Sequence, residues 1–196
     1  MKSHLILIVL VGSTALDFAA RTQQAAPIQG WQESKPDDLV GEFRRQFTLA
    51  GKFLAPPQGN PADPPTLLLK CAPNRSGGKG KFRVGAVVVG VPLKIRYVEV
   101  EERKGGLSYY PEVSVSYRLD EGKPVVDDWP PRFDKSSAEF DKGAFKGMLR
   151  AKTILITLAD KDDRQVRMQF DMPDSGAAPL ASAQVAETCG VLNLKK

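Results

Sequence analysis

Histidine is almost absent from this 196-residue chain: His4 is the only one. It sits in Met1-Lys2-Ser3-His4, ahead of a short apolar run, Leu5 to Val11, and the small residues Gly12, Ser13, Thr14 and Ala15. A positive start, an apolar middle and a small-residue end is the order of a cleavable secretory leader. Residues 1–20 are therefore read as a signal peptide, with cleavage near 15–20; Ser13-Thr14-Ala15 fits the small-x-small pattern better than a cut after Ala19 or Ala20. Removal of the leader leaves a mature chain without histidine. That excludes a Ser-His-Asp triad, a Cys-His pair and any histidine-ligated zinc or copper. It also removes the side chain that most often serves as a general base near neutral pH.

Long apolar runs are missing too. The stretch from Leu5 to Leu16 is about 12 residues, and a helix needs roughly 20 to span a bilayer. No transmembrane segment is expected in the mature chain. The net charge of +5 is modest and its basic residues are scattered, with short clusters at Arg44-Arg45 and Lys79-Gly80-Lys81. Aromatics do not interleave with them, so nucleic acid is not an expected partner. Weak attraction to anionic envelope polymers is compatible with that charge. No repeat and no low-complexity tract divides the chain.

Cysteine occurs twice, at Cys71 and Cys189. Two cysteines in an exported chain are expected to pair. Closing a loop of about 100 residues is worth roughly 4.7 kcal/mol in the chain-entropy account. Pairing also removes the one conspicuous nucleophile.

What remains reads as one β-rich domain over residues 31–196, after a polar tether at 21–30. Trp31 opens the first extended segment, and Glu42 to Ala50 sets Phe43, Phe47 and Leu49 against polar neighbours, Arg45 excepted. Gly51 to Pro65 carries five prolines and two glycines and reads as a long loop. Leu67, Leu69 and Cys71 share a strand face. Phe82 to Val91 is a buried strand with a bulge or close backbone contact, and Ile95 to Val100 alternates again. Val113, Val115, Tyr117 and Leu119 form the clearest alternating row. The turn Asp120 to Lys123 joins that row to Val125–Trp129 as a hairpin. Phe145, Met148 and Leu149 mark one face of a short helix. Ile154, Ile156 and Leu158 precede the turn Asp160 to Asp163, and Val166, Met168 and Phe170 return. Pro179 is placed to start a terminal helix, Leu180 to Cys189. Short antiparallel neighbours with few, late helices predict a mainly β fold: an antiparallel β-sandwich or open barrel with one short helix and a C-terminal helix.

Several motifs fail on their chemistry. Ser76-Gly77-Gly78-Lys79-Gly80-Lys81 lacks the Ser or Thr and the helix that a phosphate loop needs. Asp160-Lys161-Asp162-Asp163 resembles the start of a calcium loop, but Gln165 stands at the glycine position and Asp171 at the terminal glutamate. Asp127 and Asp128 are adjacent on a strand and point to opposite faces, so they cannot flank one glycosidic bond. Asn74-Arg75-Ser76 matches a glycosylation acceptor, meaningful only where that pathway exists. Trp31 and Trp129 are read as core rather than as ligand platforms. No catalytic, cofactor or metal residue is assigned; the disulfide Cys71–Cys189 is the one site.

The order Trp31-x-x-Ser34, Leu67-Leu68-Leu69-Lys70-Cys71, Val113-Ser114-Val115-Ser116-Tyr117-Arg118-Leu119-Asp120 and Trp129 continues through Phe145-x-x-Met148-Leu149-x-Ala151 and Gln169-Phe170-Asp171 to a helix with Cys189. It resembles the small exported TagO/VasI-type proteins associated with type VI secretion loci, over most of the mature chain. The resemblance implies a periplasmic all-β accessory protein without established catalytic residues. The expectation is a non-enzymatic periplasmic or secreted protein that binds an envelope protein or polymer and assists a secretion apparatus. Two other readings stay open: a carboxylate- or Ser/Lys-dependent envelope hydrolase, and a small-ligand carrier with an apolar pocket.

Overall fold

A computed structural model of the chain describes residues 30–34, 45–58, 61, 63–72, 81–102, 105–173 and 182–191. The leader with His4, most of the tether, Phe43, the Asn74 and Ser76–Gly80 turn and Pro179 lie outside the described residues.

Two antiparallel sheets face each other. The first holds β1 (Gln32–Ser34), β2 (Arg45–Ala50), β4 (Thr66–Ala72), β5 (Lys81–Val88) and β9 (Ser137–Phe140), in the order β1-β2-β4-β5-β9. The second runs β3 (Lys52–Ala55), β11 (Gln165–Asp171), β10 (Thr153–Ala159), β7 (Leu107–Leu119) and β6 (Arg96–Glu101), and β8 (Val125–Trp129) also pairs β7. Two short helices, α1 (Lys142–Met148) and α2 (Ser182–Thr188), complete the fold. This is the mainly β, antiparallel sandwich that the alternation predicts, and it does not close into a barrel.

The inner faces follow period two. On the first sheet Phe47 faces Leu69 and Leu49 faces Leu67 across β2 and β4. On the second, Ile154 faces Phe170, Ile156 faces Met168 and Leu158 faces Val166. All ten are buried in one core cluster with Val113, Val115 and Trp129. Arg45, the exception in its row, shares the inward face at the sheet margin. Its guanidinium lies 5.5 Å from the centre of the Phe47 ring and ion-pairs with Glu33.

One expectation is corrected. Gly51 to Pro65 is not wholly loop, because Lys52–Ala55 forms β3 and pairs Arg167, Met168 and Gln169 of β11. The prolines begin only at Pro56, and the four residues before them gain their conformation from β11 rather than from local propensity. The chain thus switches sheets at Gly51. A Cβ there would lie 2.6 Å from the Phe170 ring and 2.7 Å from the Gln169 carbonyl oxygen. Gly51→Ala is therefore expected to destabilise the fold by about 1–3 kcal/mol, because a paired carbonyl cannot move aside. Chemical denaturation would show a lower midpoint with unchanged slope; an unchanged midpoint would contradict the close corner.

The helices cap an aromatic cluster. Asp141 accepts the Ala144 N–H at 2.7 Å and starts α1. Phe145 of α1 stacks on Phe82 and Phe140, and Trp31 meets it edge-on at 6.4 Å. Trp31 donates its indole N–H to Ser182 Oγ at the start of α2. Cys189, just after α2, is bonded to Cys71 of β4 with Cα atoms 5.2 Å apart. The disulfide staples α2 to the first sheet.

Candidate functional site: a projecting β-arm

β7 is 13 residues long, and its two halves have different surroundings. From Val113 onward it pairs β8 over 113–117 and β10 over 116–119. From Leu107 to Glu112 it pairs β6, from Glu101↔Leu107 to Arg96↔Glu112. The apolar row of β7 spans both halves. Leu107, Tyr109, Pro111, Val113, Val115, Tyr117 and Leu119 share one face, since alternate residues do. Val113 and Val115 are buried, but Tyr109 is 61% and Leu107 60% exposed. The inward row therefore runs past the end of the sandwich into a two-stranded arm that the described residues do not cover.

The arm carries more of the same chemistry. Tyr97, 64% exposed, is opposite Pro111 on that inner face, and Glu99 is opposite Tyr109. The Tyr109 hydroxyl donates to Glu99 Oε2 at 3.2 Å. The outer face bears Val98, Val100 and Tyr110, with Tyr110 half-exposed opposite Val98. Arg96 fixes the base, with its guanidinium on Glu112 at 3.3 Å and on Asp128 of β8. Toward the tip, the Glu102 N–H donates to the Gly106 carbonyl and the Gly105 N–H to the Glu102 carbonyl. Gly105 has φ +80°, the left-handed region that glycine enters without a Cβ penalty. Sequence reasoning stopped the row at Val113. The signal was there in Leu107, Tyr109 and Pro111, which continue the same spacing toward the turn.

The residues singled out in the sequence are placed elsewhere. Trp31 and Trp129 are core, and the Trp129 indole donates to Asp127 Oδ2 at 3.0 Å. Asp128, one residue on, reaches the opposite face and Arg96. The pair is split, as strand geometry requires. Asp160 is buried at the head of its turn and accepts the N–H groups of Asp162 and Arg164 and the Arg164 guanidinium at 3.0–3.1 Å. Among the described residues no three His, Cys, Asp or Glu side chains group as a metal site. A further exposed aromatic, Phe133, tips the turn before β9, where Asp134 accepts the Ser136 N–H and the Ser137 hydroxyl.

These two turn carboxylates make the acid limb of stability predictable. Burial raises the Asp160 pKa, but the Arg164 N–H, its guanidinium and the Asp162 N–H outweigh it and hold the group below its ordinary value. Burial is likewise outweighed at Asp134 by the Ser137 and Ser136 donors and by Arg132. A carboxyl that ionises more readily in the native state stabilises the fold above its unfolded pKa of about 3.9. That stabilisation is lost as pH falls through the lower native value. Asp160→Asn is therefore expected to lower stability at neutral pH and to flatten its decline as pH falls below about 4. Denaturant melts across pH would check this; parallel pH curves for the two proteins would contradict it.

The described residues thus define a disulfide-stapled antiparallel β-sandwich with an exposed aromatic arm. No helix among them is long and apolar enough to cross a membrane. No family model matches the chain, and no curated protein and no solved structure matches it either.

Proposed function

We propose that this chain is an exported, non-enzymatic accessory protein of the bacterial envelope, and that it works by binding an envelope protein or polymer through the β6–β7 arm. The observation that carries this reading is the uncovered continuation of the core row. Leu107, Tyr109 and Pro111, with Tyr97 beside them, present apolar surface that no described residue covers with an opposing layer. Contiguous exposed apolar patches on a folded chain mark contact sites, and tyrosine is enriched in them because it offers a large, rigid, amphipathic surface. The leader-like start and the disulfide support an oxidising compartment, periplasmic or secreted. The TagO/VasI-like order of residues supports a place beside type VI secretion.

The arm also supplies a handle for the test. Glu99 and Glu101 are exposed on it and can be coupled by a zero-length carboxyl–amine reagent to a bound partner. Crosslinking on the exported protein without reduction, read by mass spectrometry, is expected to join arm glutamates to an envelope component. The same spectra should show a mature N-terminus at residues 15–20 and an intact Cys71–Cys189 peptide. Recovery of no envelope component, or of crosslinks only from surfaces away from the arm, would overturn the reading.

A further inference from the structure

We propose that the edge of β6 is completed by the β6 of a second copy, giving a two-fold dimer joined arm to arm. This deepens the reading of the arm as a contact surface and does not depend on the envelope partner. β6 ends the order of its sheet, and among the described residues its outer edge has no strand beside it. A row of unpaired N–H and C=O groups is a template for another strand. The arm stands clear of the sandwich, so a second copy can reach that edge.

The sequence of β6 selects the register. A two-fold axis normal to the sheet keeps the side chains of both copies on matching faces, so facing residues differ by an even number. Two registers of this kind overlap five of the six residues Arg96–Glu101. One sets Glu99 against the partner's Glu99, and like charges directly opposed are destabilising. The other sets Val98 against the partner's Val98, Tyr97 against the partner's Glu99 and Arg96 against the partner's Val100. One step beyond the strand it brings Lys94 opposite the partner's Glu102. Apolar meets apolar at the centre, and no like charges face each other.

Paired strands run in opposite directions, so the body of each copy lies toward the tip of the other's arm. The Leu107, Tyr109 and Pro111 rows of both copies then lie on one common face, where the envelope partner can meet them.

Directly opposed residues of an antiparallel pair have Cα atoms about 4.5–5.5 Å apart, within the range that a disulfide bridges. Val98→Cys in the full chain is therefore expected to form a disulfide-linked dimer under mild oxidation. It should couple roughly tenfold faster than Ser114→Cys, an exposed control on the body of β7, because only sulfurs held in disulfide geometry couple quickly. Light scattering should give twice the chain mass for the wild type and half that value for Val98→Lys, which opposes two ammonium groups on the axis. The melting temperature of Val98→Lys should be that of a folded sandwich, since Val98 lies outside the core cluster. A wild type that scatters as a monomer at its highest soluble concentration, or a Val98→Cys that couples no faster than Ser114→Cys, would overturn the pairing. A monomeric wild type that still captures an envelope component through its arm would overturn the pairing alone and leave the proposed function standing.

Discussion

Replacing Cys71 and Cys189 together by alanine is expected to cost about 2–5 kcal/mol of stability, the range seen when a native disulfide is lost. The bond closes a loop with a sequence separation of 118, so the unfolded chain gains much freedom when it is removed. At roughly 2–4 °C per kcal/mol for a chain of this size, the melting temperature should fall by about 4–20 °C. A local consequence accompanies the global one. α2 packs through Val185, Ala186 and Cys189, all buried, and its Ser182 holds the Trp31 indole. Without the staple, α2 can leave β4 at less cost than global unfolding. Trp31 fluorescence should then shift to the red in a step that precedes the main transition. A melting temperature within about 2 °C of the wild type would show that α2 is held by packing alone.

The second large effect is expected at Gly85. It lies on the inner face of β5 between Leu69 of β4 and Phe140 of β9. The Phe140 ring fills the space where its side chain would be: a Cβ on residue 85 would lie 2.0 Å from Phe140 Cε2. Relief requires the ring to move, and the ring is wedged among Trp129 at 5.4 Å and Phe145 at 6.1 Å. Gly85→Val should therefore disturb the whole aromatic cluster and cost about 3 kcal/mol or more, at or beyond the upper end of ordinary overpacking. Combining it with Phe140→Ala should recover part of the loss, because the two changes share one volume. Additive losses in that double-mutant cycle would contradict the proposed contact.

How much of this was legible in the sequence depends on what alternation encodes. Period two reports which side chains share a face. Ile154, Ile156 and Leu158 against Val166, Met168 and Phe170 could therefore be paired on sight, and the structure pairs them. Phe145, Met148 and Leu149 likewise fixed α1, and compartment chemistry paired the two cysteines. Alternation does not report whether another layer stands opposite. Leu107 and Tyr109 read like Val113 and Val115, yet the first two are bare and the last two buried. The arm is a property of where the first sheet ends, which no local pattern in β7 contains. β3 and β9 were missed for a related reason. Each has four residues, too few to show a period, and each is a strand because a neighbour supplies its hydrogen bonds. The sheet switch at Gly51 and the contact under Phe140 are tertiary events at single glycines. The turn carboxylates Asp134 and Asp160 could be placed in turns, but their donors become visible only in the folded chain.

The same limit explains why chemistry was easier to exclude than to assign. Asp127 and Asp128 could be separated by strand geometry alone, and one indeed serves Trp129 while the other serves Arg96. A contact surface has no such signature until exposure is known.

The most direct measurement of the central claim is binding by a chain whose arm is stripped of its exposed rings. Tyr97, Tyr109 and Tyr110 are all at least half-exposed and lie outside the core cluster, so replacing all three by serine should leave the melting temperature of the sandwich close to that of the wild type. Loss of three aromatic contacts at a site where each is worth about 1 kcal/mol or more predicts a fall of at least roughly 100-fold in affinity for the captured envelope component. An unchanged affinity in a folded triple variant would show that the arm is not the contact surface.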